Sequence, residues 1–588
     1  MPLSALHLPA LPRRRRPPEL TYAADERPPA GQLALLAAQH AGTAMAFIAY
    51  VLVAAKMAGL DRSGTQTMVA TTLLGMALCT ALQAWGGRWG AGALLVHMPD
   101  PFMITFAAAL TAAHGPGGLA GAAMVHGLTA LVLAPLVRRL RPVFPPTVVG
   151  VVICMGGMAL VESSMRSILG VGPDQWNIDA GAALMGGLTM AAIVLLSVWG
   201  GRLRLMALLG AIALGVAAAA LLGRIEGGAA LAGVPLLALP QVAMPVFALD
   251  GGMLVAVALV AVLTQLDTLG SVTIMDKMDD ADWKRANMQM VSGGIRANGI
   301  GDLAAGLLGG FPTCTCSANI ALAYATRSTA RIIGLGAALL LALVAFLPQL
   351  TLALTLIPEP VLGAVGLYAA GYLIVSGMEL IVSRALDNRA IFAVGLSLSA
   401  GLTLLQMPQL GAQLPEGLRF LLGNAFVVTG VLVILLNLLF RLGTARQAEQ
   451  PLNSASPSLH ADITDFVDTS GAAWGARRSA VQRAALAALE AAETIASAGA
   501  GRQLLGIRGS FDEFNLDVEL LHSGAPLELA APKAQGIDAA WLEGDEHALD
   551  KALAQLSGRL LQHLADRVSS GGGSSSDGPS WLRLHFEH

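Results

Sequence analysis

Charge is scarce in this 588-residue sequence: Asp, Glu, Lys and Arg together make up only 13% of it, against roughly 25% in soluble domains. Most of the chain is therefore not an ordinary water-facing globule. The formal net charge of −3 says little about partners, and no nucleic acid is expected among them. Cysteine is nearly absent too. Cys79, Cys154, Cys314 and Cys316 all fall in apolar or motif segments, which excludes a disulfide framework and a thiolate-rich zinc site. Cys314 and Cys316 have no second ligand pair nearby in sequence, so no metal or other cofactor is expected. A Gly-x-x-x-x-Gly-Lys-Ser/Thr phosphate loop is missing, which argues against ATP-driven transport. No paired base and nucleophile stands out, so nothing marks an enzyme.

Apolar sequence is abundant instead, at 55% of residues and a mean hydropathy of +0.64. Runs long enough to cross a bilayer, about 20 residues each, recur between residues 32 and 441. The pattern predicts an α-helical polytopic membrane protein with roughly fourteen spans. The first seven are 32–54, 66–86, 91–113 (broken), 117–136, 147–164, 179–199 and 204–223. The second seven are 253–272, 290–308, 311–326 (broken), 331–350, 361–380, 389–406 and 420–441. Residues 1–31 read as a polar, Pro-rich tail, 442–460 as a linker and 461–588 as a small soluble α/β domain. The Arg13–Arg16 block marks the N-terminus as cytoplasmic, and an even span count returns the C-terminus to the same side. An inner-membrane, multi-pass protein is expected.

The stretch "GGFPTCTCSANIALAYATR", 309–327, breaks the helical pattern at Gly309, Gly310 and Pro312 and follows with small polar residues. Such backbone survives at membrane depth only where it is buried in protein or lines a cavity. Its counterpart is "MPDPFMIT" in the third span. Pro99 and Pro312 are 213 residues apart, as are Pro145 and Pro358, and Gly150 and Gly363. The shared offset predicts two seven-span repeats of opposite topology, with the broken third and tenth spans at the binding site.

Individual residues follow. Asp267, a carboxylate inside an apolar span, is functional by default: it could exchange a proton or accept a hydrogen bond from a ligand N–H. His40 either bridges to a neighbouring helix or touches ligand. Phe102, after the Pro-broken segment, could stack on a flat ligand or simply pack. A half-helix starting near Cys314–Ser317 would aim the backbone amides of Cys316 and Ser317 into the cavity. Lys56, Asp302 and Glu379 read as span-end or gate residues with no chemistry assigned.

With these residues in place the sequence resembles the nucleobase–ascorbate transporters. "GGFPTCTCSANIALAYATR" is similar to that family's signature, with Asn319, Thr326 and Arg327 in register. Gln39-His40, "VFPPTVVGVVICMGGMAL" and "IPEPVLGAVGLYAAGYLIVSGMEL" resemble its first, fifth and twelfth spans. The resemblance implies a secondary carrier that imports a nucleobase such as uracil or xanthine by proton symport and alternating access. Its implied substrate-binding residues are Asp267, Cys316, Ser317, Ala318, Asn319, His40, Phe102 and Ser271, with Asp267 and His40 carrying the proton. Four positions depart from the family: its tenth-span Gln or Glu falls on Ala318, the following Gly on Ala321, its usual eighth-span Glu on Asp267, and a histidine used by some members on Ser271. A homodimer is also implied. The competing readings are an anion carrier of the sulfate or bicarbonate type on the same seven-plus-seven fold, and a membrane sensor acting through the C-terminal domain.

In that domain "GARRSAVQRAALAALEAAETIASA" predicts a helix. "RQLLGIRGSF" and "FNLDVELLH" predict strands, a further helix is expected at about 547–567, and "WLRLHFEH" a last strand. The order resembles the ATP-binding fold of histidine kinases and anti-sigma factors, without that family's N-box Asn or Gly-rich boxes. A structural or regulatory appendage is expected.

Overall fold

A computed structural model describes residues 8–11, 14–136, 145–172, 177–199, 207–225, 231, 233–244, 246, 251–283, 286–382, 386–413, 415, 423, 425–441, 446–497, 502–512, 515–527, 560–572 and 579–587. The chain divides into two units, Met1–Leu438 and Leu439–His588.

The first unit is helical. α1 (Ala30–Ala46) and α2 (Ala49–Met57) together make the first span, and α3 (Arg62–Trp85) follows, capped by the Asp61 side chain. The chain then extends as β1 (His97–Pro99), makes a 3-10 turn at Pro101–Met103, and enters α4 (Ile104–Leu136). Gly115 (φ 69°) breaks α4 into the expected third and fourth spans, because Pro116 cannot continue a helix and only glycine takes that φ without strain. α5 (Pro146–Leu169), α6 (Ala180–Trp199) and α7 (Ala207–Leu221) complete the first half.

The second half runs α8 (Gly251–Met278), α9 (Met288–Leu308), β2 (Thr313–Thr315), α10 (Ser317–Thr326) and α11 (Arg331–Ala345). α11 is bent by 80° against α12 (Pro348–Thr355). α13 (Glu359–Val382), α14 (Asn388–Gln406), α15 (Pro408–Ala412) and α16 (Ala425–Arg441) close it. Among the described residues, eight helices are long and apolar enough to cross a membrane, or nine if the bent pair counts as one. Each of the fourteen predicted spans meets one of these elements. α5 and α13 start at Pro146 and Glu359, which preserves the offset of 213.

Packing sorts the helices into two groups. α4 packs on α8 and α9, α3 on α9 and α11, and α1 on α11; separately, α5 packs on α13, α6 and α14. The α5–α13 contact is drawn close by glycine, which lets helix backbones approach in the absence of a solvent driving force. A Cβ on Gly377 would sit 2.6 Å from the Gly150 carbonyl oxygen and the Cys154 amide nitrogen, and one on Gly157 2.7 Å from the Ala370 carbonyl oxygen. Gly377→Val is therefore expected to separate the two helices. Detergent-extracted protein carrying it should lose its monodisperse elution peak, whereas Ser376→Ala beside it should not.

The N-terminal segment, expected to be a tail, is built into the unit. Tyr22 bridges to Ser328, the Arg331 amide donates to the Ala24 carbonyl (3.1 Å), and the Thr329 amide to that of Tyr22 (2.8 Å). Arg14 reaches Asp276 (3.1 Å) and Asp279 (2.7 Å) at the end of α8, with all three side chains at least nine-tenths buried. Arg16 hydrogen-bonds Glu26 and holds its carboxyl below the usual range. Arg13 lies outside the described residues.

The second unit is a five-stranded antiparallel sheet, in the order β3 (Arg446–Pro451), β4 (Leu504–Phe511), β5 (Asn515–His522), β7 (Ser580–Glu587), β6 (Arg567–Gly571). α17 (Leu459–Trp474) and α18 (Arg478–Ser497) contribute to its apolar core. β3 falls inside the stretch read as a linker. Its "RQAEQP" sequence has no apolar alternation because it is an edge strand with most side chains exposed. Most of the helix expected at 547–567 lies outside the described residues. One row of facing residues, Glu449, Arg508, Glu519 and Arg583, crosses four strands as alternating charges.

Candidate substrate site

The site forms where two spans stop short of crossing. Gly309 ends α9 with φ 84°, and Gly310 and Pro312 keep the chain extended up to β2. Pro99 closes β1, and Asp100 caps the 3-10 turn that follows, its side chain accepting from the Phe102 amide. The two strands pair antiparallel, His97 with Thr315, Met98 with Cys314 and Pro99 with Thr313. This three-residue ladder satisfies backbone groups that would otherwise be stranded at membrane depth, and it joins the broken span of one repeat to that of the other.

The two-residue period of a strand turns Thr313 and Thr315 to the same side of β2. Each hydroxyl meets a carboxylate. Thr315 Oγ1 lies 3.1 Å from Asp267 Oδ2 and 2.8 Å from Ser271 Oγ. Asp267 and Ser271 are one turn apart on α8, so they share a face. Asp267 is only partly buried, as are Ser317 and Ala318 in the first turn of α10. Tyr372, on α13 and 46% exposed, lies near the Ser317 side chain. The open face is thus lined by one carboxylate, small side chains and a phenol, and the phenol belongs to the other helix group. A carboxylate with spare lone pairs beside hydroxyls can accept ring N–H groups while the hydroxyls answer ring carbonyls.

The other predicted residues stand further back. His40 is fully buried and its Nδ1 lies 2.7 Å from Asn319 Oδ1. Since the amide oxygen only accepts, Nδ1 carries the hydrogen, and His40 bridges α1 to α10. Its Nε2 is buried with no protein partner. Phe102 is 7% exposed within the main apolar core, and its amide donates to Asp100 Oδ1 at 2.9 Å. The expectation that the Cys316 amide points into the cavity is corrected: it donates to the Val96 carbonyl at 2.9 Å. The strand pairing extends one residue past His97 and Thr315 and takes that donor, leaving the first turn of α10 as the nearest source of free amides.

Three buried polar residues escaped sequence reasoning. Asp302, expected at a span end without chemistry, is fully buried in the middle of the bundle and accepts from the Thr313 amide at 2.9 Å. His126 on α4 places Nδ1 2.9 Å from Asp302 Oδ2 and Nε2 3.6 Å from Asp100 Oδ2. From Thr313 hydrogen bonds continue through His97 Nδ1 (3.0 Å) to Gln83, and from Gln83 to Asn298 (2.8 Å) and on to Gln265 (3.0 Å). The available signal was His126 itself, a titratable side chain within an apolar run.

The family model and the curated relatives agree on one class. The Xan_ur_permease family model, described as Permease family, matches residues 31–410. The chain is 28% identical to the xanthine permease XanP of Escherichia coli over 439 residues, covering 72% of this chain and 95% of that protein. It is 26% identical to the uric acid permease PucK of Bacillus subtilis over 438 residues, covering 72% and 97%. Among solved structures, the transmembrane domain of the cyanobacterial bicarbonate transporter BicA aligns at 18% identity with a TM-score of 0.44, covering 69% of this chain and 97% of that one.

Proposed function

Since the chain belongs to this permease family, the nucleobase–ascorbate transporters, we propose that it is a proton-coupled importer of an oxidised purine, with xanthine as the first candidate. Nucleobase transport is the family's shared activity, and the chain is a transporter rather than an enzyme. The observation that carries the finer reading is Asp267, a partly exposed carboxylate between the two broken spans, held by the Thr315 hydroxyl. Xanthine offers ring N–H donors and two carbonyl acceptors, which complement a carboxylate beside the hydroxyls of Ser317 and Tyr372. Loaded with a proton, the same carboxyl would lose the negative charge that makes crossing a bilayer costly. Tyr372 comes from the helix group opposite the ladder, so movement between the groups opens and closes the site, as alternating access requires. The Arg13–Arg16 block supports cytoplasmic termini in an inner membrane. A homodimer in the membrane completes the reading.

Uptake of labelled xanthine, hypoxanthine, guanine, urate and uracil by expressing cells, with and without a proton uncoupler, tests it. Xanthine should accumulate and the uncoupler should abolish accumulation. Uncoupler-resistant accumulation, or uptake of none of the five, would refute it.

Ser317→Leu should fill the space at the start of α10 and lower initial xanthine uptake by about 10²-fold, the scale of a misplaced substrate. Cys316→Ser should be tolerated, because the Cys316 backbone and not its side chain holds the ladder. Competition profiles for Ala318→Glu should shift toward bases with an additional ring N–H. Unchanged transport in both Ser317→Leu and Ala318→Glu would remove this stretch from the site.

A further inference from the structure

Behind the open face lies a second ionisable centre that shares no side chain with it. Asp100 follows β1, His126 is on α4, Asp302 on α9 and Thr264 on α8, and all four side chains are fully buried. His126 Nδ1 faces Asp302 Oδ2 at 2.9 Å. His126 Nε2 faces Thr264 Oγ1 at 3.3 Å and Asp100 Oδ2 at 3.6 Å. The Thr264 hydroxyl has two acceptors of its own, Asp100 Oδ2 and the Val260 carbonyl at 3.1 Å, so toward the histidine that oxygen accepts. With both carboxylates ionised, both ring nitrogens face acceptors and both carry hydrogen. The geometry makes His126 an imidazolium.

One cation between two carboxylates leaves a buried excess of one negative charge. The surrounding elements do not cancel it. From β1, His97 Nδ1 lies 3.0 Å from Thr313 Oγ1 and its Nε2 3.4 Å from the Gln83 amide nitrogen, whose hydrogens go to the Gly294 carbonyl and Asn298 Oδ1, so neither ring nitrogen meets a carboxylate. From α3 comes the Cys79 thiol, which meets Thr313 Oγ1 at 3.2 Å. From α8 comes Asp267, one turn after Thr264, which adds another negative charge. From α9 comes Asn298, and from β2 Thr313 and Cys314. Among the described residues, no group of three or more His, Cys, Asp or Glu side chains could hold a metal ion. An uncompensated buried charge is expensive, and a carboxylate beside another neutralises by taking up a proton.

We propose that Asp100, His126 and Asp302 form a second proton-binding site, separate from the partly exposed Asp267, in which His126 remains an imidazolium and the carboxylate pair takes up one proton. The site joins the two repeats: Asp100 and His126 belong to the first, Asp302 and Thr264 to the second. It also has a direct connection to the open face. β2 contacts both acids, through Thr313 to Asp302 and through Thr315 to Asp267. Protonation of the sealed pair changes what Thr313 must donate to, and so bears on the strand that holds Asp267. The inference goes beyond the xanthine reading, and its test needs no transport.

Full-length protein in lipid nanodiscs, labelled with 15N-histidine, supplies the first readout. The resonance pair lost in His126→Gln should report both ring nitrogens protonated at about pH 8. A single neutral tautomer there would overturn the proposal. Infrared difference spectra between about pH 5 and pH 9 supply the second. One protonated-carboxyl band, distinct from that of Asp267, should persist in Asp267→Asn and be the one missing from Asp302→Asn or Asp100→Asn. If either of those variants fails to fold, Asp267→Asn decides alone: retention of the band supports the second site, and its complete loss refutes it.

Discussion

Asp267→Asn is expected to collapse concentrative xanthine uptake to simple equilibration while leaving the protein folded in the membrane. One proton moving down a potential of about 100 mV supplies about 2.3 kcal/mol, which corresponds to an accumulation ratio of about 50-fold. An amide cannot carry that proton, so the ratio should fall to about one. The fold should survive because an Asn Oδ1 can still accept from Thr315 Oγ1, now 3.1 Å from the carboxylate. Steady-state accumulation in cells, set against xanthine exchange in proteoliposomes without a gradient, separates coupling from binding. Exchange that persists while accumulation is lost assigns the proton to Asp267. A variant that still concentrates xanthine would move the coupling elsewhere.

The largest stability effect is expected from Arg14→Ala. The guanidinium is the cation shared by Asp276 and Asp279, and truncating it leaves two buried carboxylates at the end of α8. Breaking a buried ion pair from one side costs about 3–5 kcal/mol. The lower end applies here, because both acids keep other donors: Trp283 Nε1 and the Asn287 amide for Asp276, Thr329 Oγ1 and the Ala24 amide for Asp279. The variant should melt earlier in detergent and release the N-terminal segment to protease, with cleavage near residues 14–24. Arg14→Lys should recover part of the loss, since an ammonium supplies charge without the two-pronged geometry. An Arg14→Ala protein as heat- and protease-resistant as the parent would show that the segment is held by its backbone contacts alone.

Hydropathy made the span order readable because membrane helices must satisfy their own backbone and hide it in apolar side chains. Breaks at Gly-Gly-x-Pro and Met-Pro-Asp-Pro were readable for the complementary reason, and the offset of 213 tied them together. Their direct pairing as β1 and β2 was not readable, since three residues carry no strand signature. The same ladder explains why the Cys316 amide is engaged. Asp267 stood out as an acid in a visibly apolar run. Asp302, in "GIGDLAAG", lay among small residues that could equally have ended a span, and Asp100 lay in a proline-rich break. Their meeting through His126, 26 residues after Asp100 and 176 before Asp302, is a fact of three dimensions. In the C-terminal unit the buried strands announced themselves by alternation, whereas β3, an exposed edge, had none to show.

The ladder between β1 and β2 also has a mechanical meaning. Two half-spans that merely faced each other could part, and the ligand would then be handed over by one jaw at a time. Stitched edge to edge, with His97 opposite Thr315 and Pro99 opposite Thr313, they form a single cradle that cannot open along its seam without tearing main-chain bonds in a waterless interior. The compliance of the machine must therefore lie at its rim, where Tyr372 leans over Ser317 from the neighbouring helices. On the proposed reading, the cargo rides in a rigid cup past a moving wall.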